Sequence, residues 1–228
     1  MPQCLSAKAG LRRFRPTRSY RGCTVFFDFE QLPEAKRYKL LTATVTPRPI
    51  AWVVTCADDG TLNAAPFSFF NVVCADPPTI CLGIGTHAGG RDKDTLANFR
   101  ANGEFVVNLV SEADAEAMNI TAATFQAGVD ELQRAGVSTT ASSRVAPPRI
   151  ASSPVSLECR VREIMSLSAK NHLVIATVAG AHVNDDAVMD ADRCWVDTAR
   201  LQLIGRMDSP GGYIRTRDRF TMRVPDAD

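Results

Sequence analysis

Short β-type runs recur along this chain at 50–56, 68–73, 79–84, 104–110, 155–164, 172–182 and 194–204, each bounded by Gly, Pro, Asp or Asn. Some alternate apolar with polar residues, as a strand with one wet face does. Others are apolar throughout, as a strand covered on both faces is. That mixture, with so few helical stretches between the runs, suits a closed or nearly closed antiparallel barrel better than a parallel sheet, which needs regular helical crossovers. Helical spacing is confined to 95–101, 113–120 and 129–134, segments expected to pack around a barrel rather than to build its core. The expected fold is therefore mainly β with a few short peripheral helices. A length of 228 residues, 45% of them hydrophobic and 22% charged, suits one domain with one sizeable core.

Charge divides the chain unevenly. Lys8, Arg12, Arg13, Arg15, Arg18 and Arg21 all precede the first acid, Asp28, so only 20 of the 26 basic residues accompany the 25 acids of the remainder. The body is mildly acidic, which argues against a nucleic-acid footprint spread over the fold. Residues 1–24 lack the apolar centre of an export signal and read as a disordered arm, a transit peptide or a start assigned too far upstream. Regular patterning begins at Val25-Phe26-Phe27-Asp28-Phe29, so the domain proper is expected over 25–221, followed by a short tail at 222–228. No run approaches the ~20 apolar residues of a membrane span. Cys4, Cys23, Cys56, Cys74, Cys81, Cys159 and Cys194 are an odd set without C-x-x-C spacing and lie mostly in apolar runs. They read as buried, reduced thiols of a soluble cytoplasmic protein. His87, His172 and His182 show no metal-ligand spacing, and no metal site is expected.

One stretch carries recognisable chemistry. Gly89-Gly90-Arg91-Asp92-Lys93-Asp94-Thr95 sets two cations and a capping residue, Asp94 or Thr95, between a glycine turn and a helix expected over about 96–101. Free N–H groups and the positive end of the helix dipole coincide there, an arrangement that attracts a phosphate. The same residues also suit a solvated surface turn. Elsewhere, Thr46-Pro47-Arg48-Pro49 presents Arg48 from a stiff, extended segment that feeds a strand. Asn63-Ala64-Ala65-Pro66-Phe67-Ser68 is a run of small residues whose backbone can approach a flat ring, or simply a turn entering a strand.

Taken in order, Tyr38-Lys39-Leu40-Leu41, Val45-Thr46-Pro47-Arg48-Pro49-Ile50-Ala51, Gly60-Thr61-Leu62-Asn63-Ala64-Ala65-Pro66-Phe67-Ser68-Phe69-Phe70 and Lys93-Asp94-Thr95 resemble the flavin reductase family with the FMN-binding split-barrel fold, of Greek-key type. Glu104-Phe105-Val106-Val107-Asn108-Leu109, Leu157-Glu158-Cys159 and His172-Leu173-Val174-Ile175 fall where that family has strands, so the resemblance spans roughly 26–214. It implies a homodimer with each FMN in a groove near the subunit interface, its phosphate at Arg91, Lys93, Asp94 and Thr95. The ring then runs along Asn63, Ala64, Ala65, Pro66, Ser68 and Phe69. The resemblance also puts Thr46, Pro47, Arg48 and Pro49 near the ring or the phosphoribityl chain, and His172 near the cofactor or nicotinamide site. Trp52 and Phe69 are also candidates to face the ring. The alternatives are a surface ion pair for Arg48, core packing for Trp52 and Phe69, and a plain core or surface position for His172. The closing segment Gly205-Arg206-Met207-Asp208-Ser209-Pro210-Gly211-Gly212-Tyr213 resembles the family's Arg-Leu-Gly-Gly-x-x-Tyr, which approaches the flavin or covers the nicotinamide site and would make Arg206 and Tyr213 cofactor contacts. Here methionine replaces leucine and Asp208-Ser209-Pro210 intervenes before the paired glycines, which puts those two roles in question.

The implied activity is NAD(P)H-dependent FMN reduction, hydride passing from nicotinamide C4 to flavin N5, with the reduced flavin supplied to a partner monooxygenase. In such a reaction the cofactor performs the chemistry and the protein holds the rings. Accordingly, no Ser-His-Asp, Cys-His or paired-carboxylate constellation stands out. A flavoredoxin-type electron carrier and an FMN-dependent enzyme acting on its own small organic substrate are the alternatives, because the fold alone does not fix the reaction.

Overall fold

The structure, a computed structural model, describes residues 24–87, 89–123, 125 and 129–225. Nearly all of the basic tail (1–23, with Cys4 and Cys23) and the last three residues of the C-terminal tail lie outside the described residues. In chain order the first elements are α1 (Glu34–Thr44), β1 (Ala51–Cys56), β2 (Leu62–Phe67), β3 (Phe70–Ala75) and β4 (Pro78–Gly85), then α2 (Asp94–Ala101) and β5 (Glu104–Leu109). Next come α3 (Ala115–Ile120), α4 (Glu131–Ala135), β6 (Thr139–Thr140), β7 (Arg149–Ile150), β8 (Val155–Ser166) and β9 (Asn171–Val183). A 3-10 turn at Asp185–Ala187 precedes β10 (Val188–Asp190), β11 (Trp195–Val196), β12 (Ile204–Arg206) and β13 (Tyr213–Arg215).

Seven strands form one antiparallel sheet in the order β2-β1-β5-β8-β9-β4-β3, curled into a barrel. Gly83 N–H in β4 donates to Phe69 O at the β2–β3 corner (2.7 Å), drawing that corner against β4. β1 organises the packing because it is covered on both sides, as its unbroken apolar run requires. Alternate side chains serve two cores. Ala51 and Val53 join Phe67, Leu82, Phe105, Val107 and Val174 inside the barrel, whereas Trp52 and Val54 meet Ala64, Met118, Leu132 and Ile150 beneath α3 and α4.

Three expectations are corrected. First, α2 is not merely peripheral: Leu96 and Phe99 enter the inner core, and the Phe99 and Phe105 rings lie 4.5 Å apart. Second, Cys194 and Gln202 sit at φ 53° and 47°, left-handed positions that break the run 194–204 into a hairpin, a turn and β12. Third, Asn63–Phe67 is strand rather than turn. β2 lies at a sheet edge, where a proline removes no ladder bond, so Pro66 is tolerated. The helix α1 is an addition. It starts after Pro33 without a side-chain cap and buries only Thr42, so its sequence carries almost no apolar stripe to read.

Of the described cysteines only Cys159 is buried. Cys56 and Cys81 are half-buried, and Cys74 and Cys194 are exposed. Burial pushes the Cys159 thiol up to about 12. Among the described residues no helix is long and apolar enough to cross a membrane, and no cluster of three or more His, Cys, Asp or Glu is placed to hold a metal.

Candidate functional site

Two adjoining clefts flank β2. The first, about 130 Å³, is lined by Asn63, Ala65, Pro66 and Phe67 of β2 and by His87, Lys93, Asp94 and Thr95 around the start of α2, with Glu131 and residues 121–123 opposite. The second, about 490 Å³, continues past Pro66, Phe67 and Ser68 to Arg206 and Tyr213, with Tyr38 and Met118 on its walls. Pro66, Phe67 and Ala122 belong to both, so the clefts form one groove. It runs from the basic glycine turn to the C-terminal segment.

The turn is a closed loop. His87 N–H donates to Arg91 O (2.8 Å) and Gly90 N–H to His87 O (3.1 Å), with Gly89 and Gly90 at φ 92° and 84°, a conformation that glycine adopts at no steric cost. The helix starts earlier than its sequence suggests. Lys93 is the N-cap residue and offers no side-chain cap, so neither Asp94 nor Thr95 caps α2; both lie in its first turn. Thr95 is instead held from below, its hydroxyl accepting from Asn63 Nδ2 (2.9 Å). Thr55 Oγ1 accepts from both Asn63 Nδ2 (3.4 Å) and Asn98 Nδ2 (2.9 Å). This buried network welds β1, β2 and α2 together, and Asn63 is thereby a joist of the groove floor as well as a lining residue. Lys93 reaches over the Phe67 ring, 5.8 Å from its centroid. Arg91 is exposed, does not line the groove and pairs with Asp94 at 3.5 Å.

β2 offers fewer backbone donors than its small residues suggest. In an antiparallel ladder alternate residues face away from the partner strand. Ala64 is one of these, and its N–H goes to Glu131 Oε2 (3.0 Å), while Pro66 has none to give. The outward edge therefore presents chiefly carbonyls. Glu131 is buried, and burial raises its carboxyl above the ordinary range, with the backbone bond from Ala64 opposing and the charges of Asp94 and Asp130 reinforcing the shift.

Arg48 stands beside the groove, reaching Ser68 on its wall, but its side chain is committed to backbone partners. The guanidinium is buried. Nη1 donates to Thr42 O (2.6 Å) and Val45 O (2.8 Å), Nη2 donates to Met207 O (2.6 Å), and Nε approaches Ser68 Oγ at 3.5 Å. Arg48 is thus a clasp joining the end of α1, the C-terminal segment and Ser68; its side chain lines neither cleft. Burial lowers its pKa, but from a starting value so high that the cation persists. Thr46, Pro47 and Pro49 carry Arg48 to this post, and its backbone exchanges two hydrogen bonds with Arg206 (2.9 and 2.8 Å).

The insertion in the closing segment loops out without displacing its ends. Met207 N–H donates to Gly212 O (2.9 Å), and Arg206 pairs with Tyr213 across β12 and β13, its guanidinium 4.6 Å from the Tyr213 ring. Both residues line the groove despite the departure from the family pattern.

Trp52, Phe69 and His172 lie off the groove. Trp52 is fully buried and donates from Nε1 to Thr121 Oγ1 (2.9 Å), which positions the wall at 121–123. Phe69 packs on the backbone of Gly83, where an added Cβ would meet Phe69 Cβ at 2.9 Å, and its ring lies 6.2 Å from that of Tyr38. His172 is buried in β9, with Nδ1 3.2 Å from Ser166 Oγ. The lining residues that sequence reasoning missed include Tyr38, His87, Thr121 and Glu131. They come from α1, loops and short segments with no period of their own, although the position of His87 two residues before Gly89 was a usable signal.

Comparison with known proteins agrees with the fold. Residues 43–198 match the family described as "flavin reductase like domain". A relative from Deinococcus radiodurans is 43% identical over 200 residues, covering 86% of this chain and 88% of the relative. Among solved structures, the 2-nitrobenzoate 2-nitroreductase NbaA of Pseudomonas fluorescens is 31% identical with a TM-score of 0.81, covering 88% of this chain and 96% of that one. Nitrilotriacetate monooxygenase component B from Bacillus cereus is 28% identical with a TM-score of 0.83, covering 88% of this chain and all of that one.

Proposed function

Since this chain belongs to the flavin reductase-like family and has its split-barrel fold, we propose that it is an NAD(P)H-dependent FMN reductase whose reduced flavin serves a partner monooxygenase. The observation that carries this reading is the single groove joining an uncapped, lysine-bearing helix start to a slot walled by Ala65, Pro66, Ser68, Arg206 and Tyr213.

The residues present fit FMN. At about 490 Å³ the larger cleft lies within the roughly 300–1,000 Å³ of small-molecule sites. In the smaller one the first N–H groups of α2 and the Lys93 ammonium are available to a phosphate. FMN, when bound, supplies a ring that accepts hydride from the nicotinamide. The chain's own tasks are to bind and orient. Lys93 and the start of α2 take the anionic end, the β2 edge from Asn63 to Ser68 lies along the ring, and Arg206 with Tyr213 closes the far end. Arg206 is also the groove's nearest cation to that end, suited to charge that develops on a reduced ring. Tyr38 and Phe69 mark a face on which Leu41, Val72 and Val73 are also exposed, and β3 at the sheet edge is bare on both sides after Phe70. We take that face for the homodimer contact, which sets the groove near the subunit boundary.

The test is an anaerobic spectrum of the purified protein with FMN, followed by NADH and NADPH in turn. Loss of the oxidised flavin band on nicotinamide addition supports the reductase. FMN that binds but stays oxidised points to a carrier reduced by another protein. The resemblance to NbaA favours a second reading, direct reduction of a small organic substrate by bound FMN. It predicts flavin that stays bound through gel filtration and is reoxidised by a nitroaromatic compound without oxygen.

A further inference from the structure

Glu131 lines the phosphate end of the groove, yet the proposed function gives it no role. It is 8% exposed, opens α4, and holds the Ala64 N–H with Oε2. The charged and titratable groups around it are few. The turn before α2 contributes Lys93 and His87, α2 contributes Asp94, and Asp130 precedes Glu131 as the α4 cap. From β2, Asn63 and Ala64 do not titrate, and neither do Thr121, Ala122, Ala123 and Phe125 across the cleft. A cleft offered to a dianion thus holds one lysine against two carboxylates.

Asp94 is already compensated, because it pairs with Arg91 and stands at the positive end of α2. Among the described residues no cation forms an ion pair with Glu131, and apart from Lys93 in the same cleft the charges around it, Asp94 and Asp130, are acidic. An arriving phosphate adds negative charge beside a carboxylate that burial already disfavours. We propose that Glu131 makes occupation of this groove by a flavin phosphate proton-linked: the carboxyl takes up a proton as the dianion enters, and releases it when the flavin leaves. The inference rests on the FMN reading above. Its consequence is that flavin retention weakens as pH rises, and that an ionised Glu131 favours exchange of the cofactor over retention.

The test is calorimetric titration of the full chain with FMN at about pH 7.5, where a phosphate monoester, with its second pKa near 6, is already dianionic. Measurement in two buffers of different ionisation enthalpy counts the protons taken up. The wild type should take up protons, at most one per FMN, and its Kd should rise with pH by up to tenfold per unit, the limit for one linked proton. Glu131→Gln retains an acceptor for Ala64 N–H; it should take up almost none, bind with a nearly flat pH profile, and bind FMN more tightly than the wild type at high pH. Riboflavin, lacking the phosphate, should show no uptake with either protein. His87→Asn should leave the uptake in place. FMN binding by the wild type without proton uptake, uptake that persists in Glu131→Gln, or uptake that vanishes in His87→Asn overturns the role of Glu131 and leaves FMN binding standing. Absence of any FMN binding by the wild type overturns the functional reading and this inference together.

Discussion

Replacing Arg48 by lysine separates a clasp from a ligand. In the wild type, Nη1 serves Thr42 O and Val45 O while Nη2 reaches Met207 O on the C-terminal segment. A lysine nitrogen has three donors but sits at a single point, so it can keep the two carbonyls that share Nη1 and must release the third. A charge-assisted bond of this kind is worth roughly 1.5–3 kcal/mol. For a chain of this size, each kcal/mol shifts Tm by about 2–4 °C, so Arg48→Lys should melt on the order of 3–12 °C lower. The backbone exchange between Arg48 and Arg206 remains, so the damage should be local. Amide exchange should accelerate at Met207, which donates to Gly212 O, and at Gly212, which donates to Asp208 O, the two bonds that close the inserted loop, and far less in the barrel strands. FMN affinity should fall only modestly, through loss of order at Arg206 and Tyr213. A variant with unchanged melting and exchange but a large loss of FMN affinity would mean that the guanidinium touches the ligand rather than clasping the chain.

Three further outcomes follow from the same geometry. Lys93→Ala should weaken FMN by roughly 1.5–3 kcal/mol and spare riboflavin, whereas exposed Arg91→Ala should cost under about 1 kcal/mol; equal losses for FMN and riboflavin would remove the phosphate from this turn. Glu158 is fully buried, and burial alone would raise its carboxyl, yet the N–H groups of Ser143 and Arg144 and the His182 ring hold it below the ordinary value of 4.5. A depressed carboxyl stabilises the fold above its unfolded pKa and loses that contribution as pH falls through the folded one. Urea midpoints should therefore drop on acidification below about 4.5, with a shallower slope in Glu158→Gln, and an unchanged slope would place the acid sensitivity elsewhere. Val73→Asp, on the bare edge strand, should yield a monomer by sedimentation with the fold intact; a persistent dimer would move the interface off β3.

Much of the barrel was legible because its strands announce themselves by composition. The unbroken run Trp52-Val53-Val54 can only be a strand covered on both faces, and β4, β5, β8 and β9 begin within two residues of their sequence signals. What escaped had a physical reason in each case. Pro66 hid β2 because an edge strand tolerates a residue that an inner one does not. Sparse burial hid α1, and two left-handed residues, neither of them glycine, hid the break between 194 and 204. The groove was half legible. The segments that form its floor carry recognisable order and spacing, so Asn63, Ala65, Pro66, Ser68, Lys93 to Thr95, Arg206 and Tyr213 could be named, whereas Ala64, named with them, lines neither cleft. Its opposite wall is assembled by tertiary contact: Trp52 sets Thr121, and Ala64 holds Glu131. No local pattern encodes such pairings. Arg48 shows the converse limit, since a motif can fix where an arginine stands without revealing what its guanidinium grips.

The most direct measurement is the crystal structure of the chain soaked with FMN, read for the position of the phosphorus atom. That atom is expected at the start of α2, within hydrogen-bond reach of the first amides of the helix and of Lys93, with the ring along β2 toward Tyr213. A phosphate found beside Arg206 and Tyr213, with the ring toward Lys93, would contradict that placement.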